Sequence, residues 1–172
     1  MPALDKARSI LVSGGRAVLV AVMLFALWPV DVAQSVQGAC TTNRVKFRTA
    51  TNEVSENSGT FTNIPQSSVN VTVGGAAPTC VIVVFSAEVQ TSLTLGLLVR
   101  ARLTGGIGIG EPPHALFYVG DPLARQTRSM QFVFENVPPG SYTVRMQFRA
   151  VVVDEGPGDA SLIRRTLVVH HR

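Results

Sequence analysis

Apolar and polar residues alternate at period two through most of this chain, and that pattern excludes most architectures open to it. Val69, Val71 and Val73 alternate with Asn70 and Thr72. Leu95, Leu97, Val99, Ala101 and Leu103 alternate with Thr94, Gly96, Leu98, Arg100 and Arg102. Met130, Phe132 and Phe134 alternate with Gln131 and Glu135, and Tyr142, Val144, Met146 and Phe148 with Thr143, Arg145, Gln147 and Arg149. Successive side chains of a strand point to opposite faces, so each run buries one face and wets the other. Cys80–Glu88 is more continuously apolar, which predicts a central strand covered on both faces. Arg165–His170 supplies a last strand, with His170 and His171 expected to fray at the chain end.

Turn chemistry separates these runs. Gly74-Gly75, Gly105-Gly106, Gly120-Asp121-Pro122, Pro138-Pro139-Gly140 and Gly156-Pro157-Gly158 all favour reversals. Ser129–Glu135, a turn over Asn136–Gly140 and Tyr142–Phe148 together predict a hairpin. No helical period is sustained beyond residue 39. The expected fold is all-β: an antiparallel β-sandwich, either a jelly roll or an immunoglobulin/fibronectin-like Greek key.

Residues 1–39 read differently, as a signal peptide with a short helical core. Lys6, Arg8 and Arg16 precede an uncharged apolar run of 14 residues, Ala17–Val30, which Pro29 and Asp31 close. At 1.5 Å rise per residue such a helix is short for a bilayer. Small residues offer cleavage before Val36 or before Ala39. A single domain over residues 40–172 follows, placed in the cell envelope or outside the cell, with membrane contact only through the leader. The alternatives are a retained anchor, or a lipid-anchored envelope protein tethered through Cys40, since Gly38-Ala39-Cys40 approaches a lipoprotein cleavage box except at Gln37. In an oxidising compartment Cys40 and Cys80, the only two cysteines, are expected to form one disulfide. A closed loop of about 40 residues contributes about 4 kcal/mol on the chain-entropy account.

Three stretches resemble a pattern in uncharacterised exported bacterial β-sandwich proteins: Thr60–Pro65; Cys80–Glu88 with its Phe85-Ser86-Ala87-Glu88 end; and Pro139–Phe148 together with Arg165–Val169. Pro139-Gly140-Ser141-Tyr142-Thr143-Val144 is also similar to the start of a late strand in fibronectin-type domains. The resemblance implies a β-sandwich. It carries no catalytic or binding residues across.

Motifs for chemistry are sparse. A serine triad needs a histidine within reach of a nucleophile and a carboxylate; His114, His170 and His171 are the only histidines, and no Gly-x-Ser-x-Gly occurs. His-x-His does not occur, and no metal or other cofactor is expected. Gly105-Gly106-Ile107-Gly108-Ile109-Gly110 lacks the following helix that a phosphate loop needs, because Glu111-Pro112-Pro113 comes next; it reads as a surface loop. Glu88 ends an apolar strand beside Ser86. It reads as the partner of an outward arginine such as Arg100 or Arg145, or, in a hydrolase acting on cell-wall or polysaccharide material, as one of two carboxylates in a cleft.

Charge and loops supply the remaining candidates. Arg44, Lys46 and Arg48 share one strand face, and a polar sheet face is expected to gather Glu88, Arg100, Arg102, Arg145 and Arg149. With the leader set aside, 12 cations meet nine anions, a net +3, and no cluster of aromatics lies among the basic residues, so nucleic acid is not expected as a partner. The segment carrying Glu111, His114, Phe117, Tyr118 and Asp121 is the candidate ligand-contact loop, with Phe117 and Tyr118 as its exposed rings. The resulting expectation is a non-enzymatic interaction or structural module for a protein or glycan. It would be a monomer, or a homotrimer through a sheet face presenting Ile82, Val84 and Leu98. Trp28 is the single tryptophan. Protein recovered after export is therefore expected to lack indole fluorescence, and indole emission at the mass of the full chain would show the leader retained.

Overall fold

The computed structural model describes residues 40–91, 95–105, 107–117, 124–152 and 160–172, with Leu95 and Val152 as backbone only. The leader, the Gly120-Asp121-Pro122 turn and the Gly156-Pro157-Gly158 turn lie outside the described residues. Ten strands form among them: β1 (Arg44–Ala50), β2 (Val54–Glu56), β3 (Thr62–Val73), β4 (Thr79–Thr91), β5 (Leu95–Leu103), β6 (Gly108–Ile109), β7 (Ala115–Phe117), β8 (Gln126–Val137), β9 (Gly140–Val152) and β10 (Ala160–His171).

They make two antiparallel sheets. The first runs β1-β10-β4-β8, with β2 also on β10; the second runs β3-β9-β5-β6, with β7 also on β5. The pairs β1·β10, β3·β9, β4·β8 and β5·β6 are nested, outermost with outermost, as in one long hairpin rolled up. The additional pairs β10·β4 and β9·β5 close that roll into two sheets. This is the jelly-roll connection, and it selects that topology over the immunoglobulin-like one.

Two local expectations change. β8 and β9 are not a hairpin: β8 pairs with β4, while β9 pairs with β3 and β5 in the other sheet. Pro138 and Pro139 have no N–H for a ladder, Asn136 takes a left-handed φ of 53°, and the chain crosses between the sheets. Tyr142 pins the crossing by donating its hydroxyl to Pro138 O at 2.8 Å. Nor is β4 covered on both faces. Val81, Val83, Phe85, Ala87 and Val89 are buried, whereas Ile82, Val84, Ser86 and Glu88 are half-exposed.

The single core lies between the sheets. Val71, Val83, Phe85, Leu97, Val99, Phe132, Phe134, Met146 and Phe148 are all in it, in the phase that alternation predicts. Cys40 and Cys80 are disulfide-bonded, which ties the segment before β1 to the start of β4. Cys40 Sγ is also the atom that a lipid thioether would need, so the observed bond and an anchor at Cys40 exclude each other. The two terminal histidines do not fray: His170 pairs with Val45 and His171 with Arg44. His171 is buried, with Nδ1 3.1 Å from Thr72 O.

A guanidinium breaks the apolar pattern at one inward position of β10. Register shifts in β10 between Ile163 and Thr166, Arg164 takes a φ of 46°, and Arg165 turns inward to 1% exposure. Its Nη1 donates to Asn52 O (2.6 Å) and Leu162 O (2.9 Å), and its Nη2 to Asn52 Oδ1 (3.1 Å) and Pro65 O (3.4 Å). No carboxylate among the described residues pairs with it, and burial pushes its pKa below the usual arginine value. The guanidinium thus joins β10, the β1–β2 link and an irregularity of β3. Arg165→Met, which keeps most of the apolar volume but no donor, is expected to cost about 2–4 kcal/mol by stranding these oxygens, measured by urea denaturation. Arg165→Lys is expected to recover only part of that, since an ammonium cannot reproduce the planar fork.

Candidate functional site

The outer face of the second sheet collects the arginines. Leu97, Val99, Ala101 and Leu103 of β5 point into the core, so Leu98, Arg100 and Arg102 point out. On β9, Val144, Met146, Phe148 and Ala150 point in, so Arg145, Gln147 and Arg149 point out. Register then fixes the neighbours: Arg102 lies opposite Arg145, Arg100 opposite Gln147, and Leu98 opposite Arg149. On the other side of β9, Ser68 lies opposite Arg145 and Asn63 opposite Gln147.

These side chains form a connected polar surface. Arg100 Nε donates to Gln147 Oε1 at 2.9 Å, and Gln147 Nε2 donates to Asn63 Oδ1 at 3.0 Å. Phe61 sits under two guanidiniums, with Arg100 Cζ 3.9 Å and Arg149 Cζ 5.1 Å from its ring centroid. Arg149 also donates from Nη1 to Gly59 O at 3.2 Å, while its buried Nε has no partner. Among the described residues none of Arg100, Arg102, Arg145 and Arg149 forms an ion pair. The Arg100 pKa is lowered, first by burial and then by the like charges of Arg102 and Arg149.

Beside this cluster is a concavity of about 510 Å³ lined by Arg102, Arg145, Asn63 and Gln147, together with Leu103, Thr104, Gly105 and Gly108. Gly105 and Gly108 take φ of 87° and 97°, which suit glycine. The glycine run is therefore not a plain surface loop. Gly108–Ile109 is β6, paired with Arg102 and Leu103, and a Cβ on Gly110 would stand 2.9 Å from the Phe134 ring. Among the described residues the Arg102 and Arg145 guanidiniums have no side-chain partner, and guanidiniums of this kind can donate to an anion, while the two amides add hydroxyl-binding capacity. Among the described residues the lining consists of two guanidiniums, two amides, the Thr104 hydroxyl, Leu103 and two glycines.

The other candidates fall elsewhere. Glu88 does not share this face: it lies on the outer side of the first sheet, where Arg164 Nη1 donates to its Oε1 at 2.7 Å. Its partner is thus neither Arg100 nor Arg145. Phe117 is not an exposed ring. It is 2% exposed and stacks on Phe85 with centroids 6.3 Å apart, because the short strand β7 turns it into the core and leaves Leu116 outside. Glu111 and His114 are exposed, and the Glu111 backbone exchanges hydrogen bonds with Val133 at 2.8 and 2.7 Å. They are not among the residues that line the arginine concavity. Tyr118 and Asp121 lie outside the described residues. Ile82 and Val84 do face outward, but from the first sheet, whereas Leu98 belongs to the second and is only 9% exposed. Phe61, Asn63 and Gln147 were not legible as site residues. Phe61 stands alone among polar residues, and Gln147 occupies an outward position that reads as solvated.

No protein-family model matches the chain, and no curated protein matches it in sequence. Solved structures do. A subviral particle of infectious bursal disease virus VP2 superposes with a TM-score of 0.52 at 12% identity, over 77% of this chain and 34% of that one. The chain thus spans about a third of the capsid protein's length. A carbohydrate-binding module from Cellvibrio mixtus lichenase 5A, in complex with cellotriose, gives 0.36 at 12% identity, over 70% of this chain and 87% of that one. The sugar-binding C-terminal domain of EclA gives 0.37 at 13%, over 69% and 78%. The likeness to the capsid protein is one of fold: an antiparallel β-sandwich carrying, here, an arginine-rich outer face.

The Glu88–Arg164 pair is held on an open surface, with Arg164 66% exposed. Glu88→Gln is expected to change unfolding free energy by no more than about 1 kcal/mol, as read from a denaturation midpoint. A larger loss would assign Glu88 a buried structural role.

Proposed function

We propose that the protein is an exported, non-enzymatic binding module that holds an anionic glycan on the outer face of its second sheet. The observation that carries this reading is the set of four guanidiniums, Arg100, Arg102, Arg145 and Arg149, gathered on one face without a carboxylate partner among the described residues, two of them lining the concavity. Arginine forks match carboxylate and sulfate oxygens in pairs. Asn63 and Gln147 supply donors and acceptors for the hydroxyls of a sugar ring. Stacking of the Phe61 ring against Arg100 and Arg149 keeps their planes in place, which lowers the ordering cost on binding. The disulfide supports an exported location, and the leader is cleaved ahead of Cys40.

The test is titration calorimetry with uronate-bearing, sulfated and neutral oligosaccharides of equal length. Anionic chains are expected to bind, and affinity is expected to fall as salt rises. The Arg102→Ala/Arg145→Ala variant is expected to bind at least about tenfold more weakly, while Glu88→Gln binds as the parent does. Equal binding of neutral and anionic chains, or indifference to the double variant, would refute the assignment.

A further inference from the structure

The outer face of the first sheet has a different character from the arginine face. Its outward rows follow from register. Val133, Ile82, His170 and Val45 form one row across β8, β4, β10 and β1; Gln131, Val84, Val168 and Phe47 form the next; Ser129, Ser86, Thr166 and Thr49 form the third. Six of the eight residues in the first two rows are apolar. Phe47 is 73% exposed and Val45 57% exposed. Below these rows Glu88 is paired with Arg164, and beyond the first row Glu135 of β8 stands exposed, in phase with Val133 and Gln131.

We infer that this face is a self-association surface, on which a second copy of the chain packs sheet against sheet. Three observations select a second copy as the occupant. First, the patch is flat and spans four strands, and the surface that best matches a twisted sheet is another sheet of the same twist, about 10 Å away. Second, the six apolar residues and Gln131 of those two rows carry no charge, and Glu135 lies beyond them towards the end of β8. The opposite face carries four arginines without carboxylate partners among the described residues and would repel its copy. An anionic membrane would need cations in the plane of the patch, and Arg44, Lys46 and Arg48 alternate with Val45 and Phe47 to the other side of β1. Third, the area suits a weak pair. Four strands and three outward rows cover about 20 Å by 20 Å, hence about 800 Å² over both copies, in the range of transient interfaces. A face that meets itself is isologous and closes as a two-fold dimer, so it replaces the trimer expected from Ile82, Val84 and Leu98.

Sedimentation velocity tests this on the protein recovered after expression of the full chain, at about 5 μM to 500 μM. A concentration-dependent shift from monomer to dimer is expected, with a midpoint between about 10 μM and 1 mM. Phe47→Asp is expected to stay monomeric throughout. Phe47 is largely exposed, and an unchanged circular dichroism spectrum checks that the variant folds; Val45→Asp is the second variant should it not. Arg102→Ala is expected to dimerise as the parent does. A parent that stays monomeric over the whole range, a trimer, or a dimer unaffected by both aspartate variants would overturn the inference. So would a monomer that co-sediments with phosphatidylglycerol vesicles in a Phe47-dependent way.

Discussion

Everything chemically distinctive about this chain is governed by the pleat of strands that share one core. Inward residues of both sheets are committed to a single apolar interior, so polar side chains are left with two outer faces and the loops. Which face each one reaches is decided by the nested pairing. β5 and β9 are neighbours in the second sheet, so Arg100 and Arg102 meet Arg145 and Arg149. β4 and β10 are neighbours in the first, so Glu88 meets Arg164. The same rule sorts the molecule into one face that gathers four arginines and one face whose first two rows are mostly apolar.

Arg165 is the exception to this sorting, and it shows what the roll requires. In period, position 165 belongs with Leu167 and Val169, both buried. A β-bulge sets two residues, Arg164 and Arg165, against Ala87 alone. Leu162 O, close to the bulge, and Pro65 O, within the irregular stretch of β3, both accept from the Arg165 guanidinium. One guanidinium, with five donors in a fixed fork, satisfies four oxygens from three chain segments. A burial that is costly for a cation is thus compensated by hydrogen bonding rather than by a counter-charge, at a place where apolar packing would leave the carbonyls bare.

Much of the fold was legible because alternation is a local property. The inward phase of β5, β8 and β9 follows from Leu97, Phe132 and Met146 without knowledge of any partner strand. Pairing is not local. The apparent hairpin at Asn136–Gly140 has every short-range signal, yet Pro138 and Pro139 serve a crossing between sheets, which only the positions of β3, β4 and β5 reveal. β7 is three residues long, too short to fix a phase, so Phe117 looked like a loop aromatic although it completes the core beside Phe85. At the candidate site the arginines were visible one by one. Their convergence, and the exclusion of Glu88 from their face, needed the sheet order. Gln147 needed more: its burial reflects Arg100 on one side and Asn63 on the other, contacts that join residues 47 and 84 positions apart.

The two outer faces point away from each other, and this gives the proposals a joint consequence. Packing through the first sheet stacks four layers, with the arginine faces outermost. Sheets packed about 10 Å apart put those faces roughly 30 Å from one another. A short oligosaccharide cannot span that distance around the molecule, so each dimer takes two separate chains, or two distant stretches of one. Weak association then becomes useful: on a polymer the local concentration of bound copies rises, and linked sites gain avidity without any new contact. The lack of cations in the apolar rows of the first face is what permits this, because a domain with cations on both outer faces would repel its own copy at the very density a polyanion imposes.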